Sequence, residues 1–273
     1  MNLKETLICI KENDYEAPPD TFQLVLEMIN NIGSLDAQLR DELIYTTLSH
    51  WIPGNSLTTN ELEQLIPVIL DKNHLHFKLG ETNTDSVFTR SFSMLVIPLL
   101  FMRHKESPFL SREQIHQIKE KVFCSVQNER DYRGYDEEKG WAHALAHAAD
   151  TLDELTQCSE LDKNDLITIL DLVYEKMTIT DRIYSDGEDE RMVRSLMSVL
   201  DRKMLSQTYV EQWIRSFGDV EKTPEFLPAF KQKNNIKNFL KSLYFRVKYY
   251  KVDANLCPTI EHTLYKVEKV YYS

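Results

Sequence analysis

Apolar residues recur three and four apart along almost the whole chain, a spacing that buries its side chains together only on a helix. Phe22, Val25, Leu26 and Ile29 form one such stripe, with Asp20 as its cap. Leu35, Leu39, Leu43 and Leu48 form the next, which stops before Pro53-Gly54. Leu62, Leu65, Ile66 and Ile69 follow Thr58, which makes a capping box with Glu61. A long apolar helix is predicted from about Asp85 to His104, bent by Pro98. Ser111, with Gln114 in the box position, caps a helix to about Asn128. The loop Glu129–Asp136 leads to a helix predicted over about 138–157. Further helices are predicted from Asp162, from the Ser185-Asp186-Gly187 loop to near Met204, and over about 208–217, 228–249 and 259–272.

The chain has only 7 Gly in 273 residues, too few for the turns of most sheet architectures. The helices fall into hairpins that begin roughly 40–55 residues apart, near the ~40–47-residue period of two-helix solenoid repeats. The expected fold is therefore all-α: a short right-handed α-solenoid of helix hairpins, HEAT- or armadillo-like, forming one domain over residues 1–273. No sequence signature is shared between repeats, and a compact helical bundle is the alternative.

The stretch Gly140-Trp-Ala-His-Ala-Leu-Ala-His-Ala-Ala-Asp150 carries the strongest chemical pattern. Read as helix, it places His143, His147, Asp150 and Glu154 within about 60° of one another. Trp141, Leu145, Ala148, Leu152 and Leu155 take the opposite, apolar side. Histidines one turn apart can chelate a divalent metal, with Asp150 as third ligand. Ala144 stands where a zinc peptidase has its catalytic Glu, so that chemistry does not carry over. The stripe is flanked by Ala142, Ala144, Ala146 and Ala149, which admit a close helix or ligand. Three readings stand side by side: a metal site on His143, His147 and Asp150, a metal-free polar pocket, and a solvated or interhelical structural stripe.

Two further clusters are candidate contributors. Asp186-Gly-Glu-Asp-Glu-Arg191 sits at a predicted helix start, where acids suit the helix dipole. Glu188 and Asp189 are candidates to reach the histidine stripe of the preceding repeat. In Arg130-Asp-Tyr-Arg-Gly-Tyr135, Arg133 could anchor an anion or pin the loop by pairing with Asp131. Arg90-Ser-Phe92 is a weaker fourth element. Cys158 reads as a packed thiol. The glycine patterns of phosphate loops, dinucleotide folds and hydrolase elbows do not occur.

A content of 42% hydrophobic and 27% charged residues suits a soluble globular chain. No window nears the ~20 apolar residues of a membrane span. No signal-peptide pattern opens the chain, and the four separated cysteines read as reduced thiols, so a cytoplasmic location is expected. The net charge of -11 argues against a general nucleic-acid binder. Residues 231–273, however, carry about +6 against about −17 for the rest. There, Tyr244, Phe245, Tyr249 and Tyr250 interleave with Lys241, Arg246, Lys248 and Lys251. This reads first as an amphipathic terminal helix with rings inward and lysines solvated, and second as a surface that stacks single-stranded nucleic acid.

The residues Arg133-Gly-Tyr135, Lys139-Gly-Trp-Ala-His143, His147, Ala149-Asp150 and Glu188-Asp-Glu-Arg191 resemble the signature of an uncharacterised bacterial family, known only as a domain of unknown function. The resemblance covers most of the chain. It implies a bacterial cytoplasmic helical protein, supplies no activity, and links the histidine helix to the acidic segment. The leading functional expectation is a small-ligand or metal-binding site on His143, His147 and Asp150, supported by Glu154, Arg133, Glu188 and Asp189. Were it an enzyme, hydrolytic or acid–base chemistry would be expected. The rival is a non-catalytic α-solenoid scaffold for a protein partner.

Overall fold

The computed structural model describes residues 2–221, 223–250 and 254–269. The fold is all-α, apart from one two-stranded hairpin among the described residues. The chain divides into two compact units, Met1–Leu155 and Thr156–Ser273.

The first unit opens with α1 (Leu3–Glu12), a helix outside the predicted set. Asn2 caps it by accepting from Glu5 N at 3.0 Å, and the Glu5 carboxylate accepts from Asn2 N in return. Helix α2 (Thr21–Asn30) follows the predicted stripe, although the Asp20 side chain makes no capping bond. A π-helical segment, Gln38–Tyr45, runs directly into α3 (Thr46–Trp51). Its wider turn displaces the apolar stripe expected there. Leu35 is exposed and Leu39 half-buried, while Arg40, Leu43, Ile44 and Leu48 are inside.

Helix α4 (Thr59–Ile69) has the predicted Thr58–Glu61 capping box. Helix α5 (Ser86–Glu106) continues through Pro98 and is buried on nearly all sides. Among the described residues it is the one helix long and apolar enough to cross a membrane, and 89% of that window is buried inside the protein. Helix α6 (Arg112–Asn128) starts at the Ser111–Gln114 box. Strands β1 (Tyr135–Asp136) and β2 (Gly140–Trp141) then pair antiparallel, with Tyr135 opposite Trp141. Helix α7 (Ala144–Thr156) closes the unit.

The second unit holds α8 (Lys163–Met177), α9 (Glu188–Asp201), α10 (Gln207–Ser216), α11 (Phe226–Tyr250) and α12 (Cys257–Glu268). Asp162 caps α8 by accepting from Asn164 N and Asp165 N. Helix α11 packs against α8, α9 and α12 through Ile236, Phe239, Leu240, Leu243 and Val247. Its outer face differs from the inward-ring expectation: Phe245, Tyr249 and Tyr250 are exposed. Lys251, Val270, Tyr271 and Tyr272 lie outside the described residues.

Candidate functional site

The segment before α7 is a hairpin, not the first turns of a helix, and this changes the geometry of the histidine motif. Gly140 has φ +75°, a backbone state that favours glycine, and a Cβ there would stand 2.9 Å from Ala37 Cβ. The turn is closed by the Asp136 carboxylate, which accepts from Glu138 N at 3.1 Å and Lys139 N at 3.0 Å. Those two amide bonds, Glu138 first, hold the Asp136 carboxyl below its usual range. Helix α7 therefore begins at Ala144, with His143 just before it at φ 47°. His143 N donates to Arg133 O at 3.1 Å and reaches Gly134 O at 3.3 Å, while His143 O takes the first helical amide, from His147. His143 is thus the hinge between hairpin and helix, and the two histidines are not carried by one helix as expected.

Arg40, which the sequence reading passed over, fixes the hairpin from below. Its Nη2 donates to Lys139 O at 2.6 Å, to Trp141 O at 3.3 Å and to Asp41 Oδ2 at 3.0 Å. Its Nη1 donates to Ser34 O at 2.6 Å. The guanidinium lies 4.5 Å from the ring centre of Phe88 and 4.9 Å from that of Phe92. Burial lowers the Arg40 pKa and raises that of Asp41, so desolvation outweighs the attraction within the pair.

Arg133 is held on the other side. It forms a two-pronged pair with Asp131, with Nε–Oδ1 at 2.9 Å and Nη2–Oδ2 at 2.7 Å. This bonding raises the Arg133 pKa. Asp131 Oδ2 also accepts from Asn83 N at 2.8 Å. This pairing pins the loop, one of the two roles open to Arg133. Arg90 repeats the device one layer deeper: it grips Glu129 at 2.7 and 3.0 Å and also reaches Phe77 O, Lys78 O and Ser86 Oγ. Glu129 in turn accepts from Arg130 N and Asp131 N.

From the hairpin into α7, Ala142 to Ala149 are each at most 5% exposed, so the solvated-stripe reading fails for His143 and His147. His147 Nδ1 lies 3.1 Å from Ser91 O. A carbonyl only accepts, so Nδ1 is the donor in this contact. The same ring meets Phe92 edge-on at 5.0 Å. Ser91 and Phe92, weakly favoured from sequence, are therefore direct neighbours of His147. The alanine flank packs against helices: Ala144 and Ala148 face Ser91, Met94, Ser125 and Val126 across a void of about 10 Å3, the size of one water.

Aromatic contacts continue outward from these histidines. The His143 and His147 ring centres are 5.8 Å apart. Trp141 stands edge-on to His143 at 4.2 Å, and Tyr135 meets Trp141 at 4.7 Å. Trp141 had been assigned to the buried side of the helix. It is instead 41% exposed and Tyr135 47% exposed, because both belong to the hairpin.

The other candidates are distributed as follows. Asp150 and Glu154 are half-buried on α7, and Glu154 is bonded to Lys105 Nζ. Among the described residues, no group of three or more His, Cys, Asp or Glu is arranged to hold a metal. Glu188 and Asp189 belong to the second unit. Glu188 is 2% exposed, accepts from Asp186 N at 2.9 Å, and has its pKa raised by burial. Asp189 accepts from Ser242 Oγ at 2.7 Å.

Residues 75–245 match the family described as "Protein of unknown function (DUF2785)". The chain belongs to that family. The matched span contains the hairpin, both histidines and the acidic start of α9 in this DUF2785 chain. No curated protein and no solved structure gives a significant match.

Proposed function

We propose that this DUF2785 protein is a bacterial cytoplasmic binding protein whose recognition surface is the Tyr135–Trp141 pair, with His143 and His147 as the polar floor behind it. The observation that carries this reading is the mounting of the two rings. Both are about half exposed, yet their short hairpin is fixed by Arg40, by the Asp136 turn and by Lys139–Asp85 at 2.7 Å. Rigid, partly exposed Trp and Tyr are the residues that dominate binding surfaces, because they give large contact area at small entropy cost. The ligand that fits is a small molecule with a planar ring to lie against Trp141 and a polar group to meet an imidazole. His147, its ring oriented by the bond from Nδ1 to Ser91 O, would supply the imidazole behind the two rings. Acid–base chemistry of the hydrolytic kind expected from sequence would draw on the same imidazole. A metal is not required by this arrangement.

A thermal-shift screen of planar heteroaromatic fragments tests the reading. Fragments that raise the midpoint of the parent should lose their effect on Trp141→Ala, whose side chain is exposed enough to leave the fold intact. Hits that stabilise both proteins equally would refute it. A second reading, an α-solenoid interaction scaffold, draws its support from the exposed rings of α11.

A further inference from the structure

Helix α11 contains six Lys and Arg and no Asp or Glu. Its inner face is apolar and packed. Its outer face carries two pairs of near-parallel rings, one toward each end. Phe226 and Phe230 are 6.0 Å apart at 22°, and Phe245 and Tyr249 are 6.0 Å apart at 16°. Phe245 is 50% and Tyr249 72% exposed. At 1.5 Å per residue the two ring pairs are separated by roughly 22 Å of helix, and Lys237 and Lys241 lie between them. Lys248 sits 5.2 Å from the Tyr244 ring, and Arg246 5.4 Å from that of Tyr250.

We propose that this face of α11 binds single-stranded nucleic acid, with bases stacking on the ring pairs and phosphates meeting the lysines. Parallel exposed rings offer flat faces that any base can cover, and interleaved lysines track a phosphate chain. The polar middle of the stripe suits a polyanion better than a lipid surface, where the central residues would have to be apolar. The chain's net charge of -11 does not forbid this. At physiological salt, charges more than about 8 Å away are largely screened, so the local excess on α11 decides the contact. The carboxylates around it are engaged at its edges: Asp189 with Ser242 and Glu261 with Tyr244 at 2.7 Å each, Glu190 with Arg246 at 2.9 Å and Glu268 with Lys241 at 3.4 Å. The Arg246–Glu190 pair, with its carboxylate in solvent, is of the weak kind that a phosphate can displace.

Fluorescence anisotropy of a labelled oligothymidylate of about twelve nucleotides, added to the full chain, tests the proposal. Binding is expected at about 50 mM salt, falling by about 2 in log K per log unit of salt if three lysines engage phosphates. The double change Phe245→Ala/Tyr249→Ala should weaken it about tenfold or more. Lys241→Gln/Lys248→Gln should flatten the salt slope, and Glu268→Gln should tighten binding. The ring and lysine side chains are exposed and Glu268 is partly buried, so each variant is melted beside the parent, and an unchanged midpoint certifies its fold. No binding at low salt overturns the proposal. So does undiminished binding by the ring variant, which would mean charge attraction alone. Preference for phosphatidylglycerol vesicles over the oligonucleotide overturns it in favour of a membrane surface.

Discussion

Thr151 Oγ1 donates to Met94 O at 2.9 Å, and Met94 O is the carbonyl that Pro98 deprives of its helical amide. A proline inside a buried helix removes one N–H and so leaves one acceptor exposed to unsatisfied burial. Here the side chain of α7 takes the place of that amide, and Thr151 is 0% exposed. The hydroxyl also lies 3.0 Å from His147 O, so the same residue steadies the turn that carries the site histidine.

Thr151→Val keeps the shape and deletes the donor. It should cost about 1–3 kcal/mol in denaturant unfolding, the penalty for a buried acceptor left without its partner. Pro98→Ala supplies the missing amide, so in the double variant the cost of Thr151→Val should shrink. A double-mutant cycle with purely additive effects would contradict the relationship.

Gly140→Ala should destabilise the first unit by about 1–3 kcal/mol, from backbone strain at positive φ. The added methyl would also stand 3.3 Å from Arg40 Nη2. Loss of the hairpin should appear as faster amide exchange of Ala142 and His143, whose N–H groups bond to Gly134 and Arg133.

Much of this was legible before the structure. Element type and most boundaries followed from apolar spacing and from caps such as Thr58, Ser111 and Asp162, because these are local signals. Residues 138–143 were misread as helix. Glu138, Lys139 and Ala142 suit one, and only the left-handed states of Gly140 and His143, the first held by a residue a hundred positions away, say otherwise. The error moved Trp141 from core to surface and concealed the ring pair. Arg40 was invisible for a related reason: a cation beside Asp41 reads as a solvated pair, and its partners across the fold include backbone carbonyls, which leave no trace in a sequence. The inward rings expected of the terminal helix were wrong for Phe245, Tyr249 and Tyr250, because α11 already fills its inner face with aliphatic residues and Phe239.

Glu188 gives a pH signature. Burial raises its folded-state pKa above the unfolded value. Its favourable contribution is then fully present below the ordinary glutamate pKa and is lost as pH rises through the raised value. Glu188→Gln removes the ionisation. The variant should melt higher than the parent at neutral pH, and the gap should close on acidification toward the ordinary glutamate range. A gap independent of pH, measured by thermal melts across that window, would mean that Glu188 stays in its usual protonation range.

The most direct test of the recognition surface is the indole 15N–1H spectrum of the protein, titrated with a stabilising planar fragment. The three tryptophans report separately, since Trp51 is 1% and Trp213 7% exposed against 41% for Trp141. Single Trp→Phe changes assign the peaks. The account predicts that the Trp141 signal moves with saturation while those of Trp51 and Trp213 stay in place. Saturable binding that leaves Trp141 unmoved would contradict it.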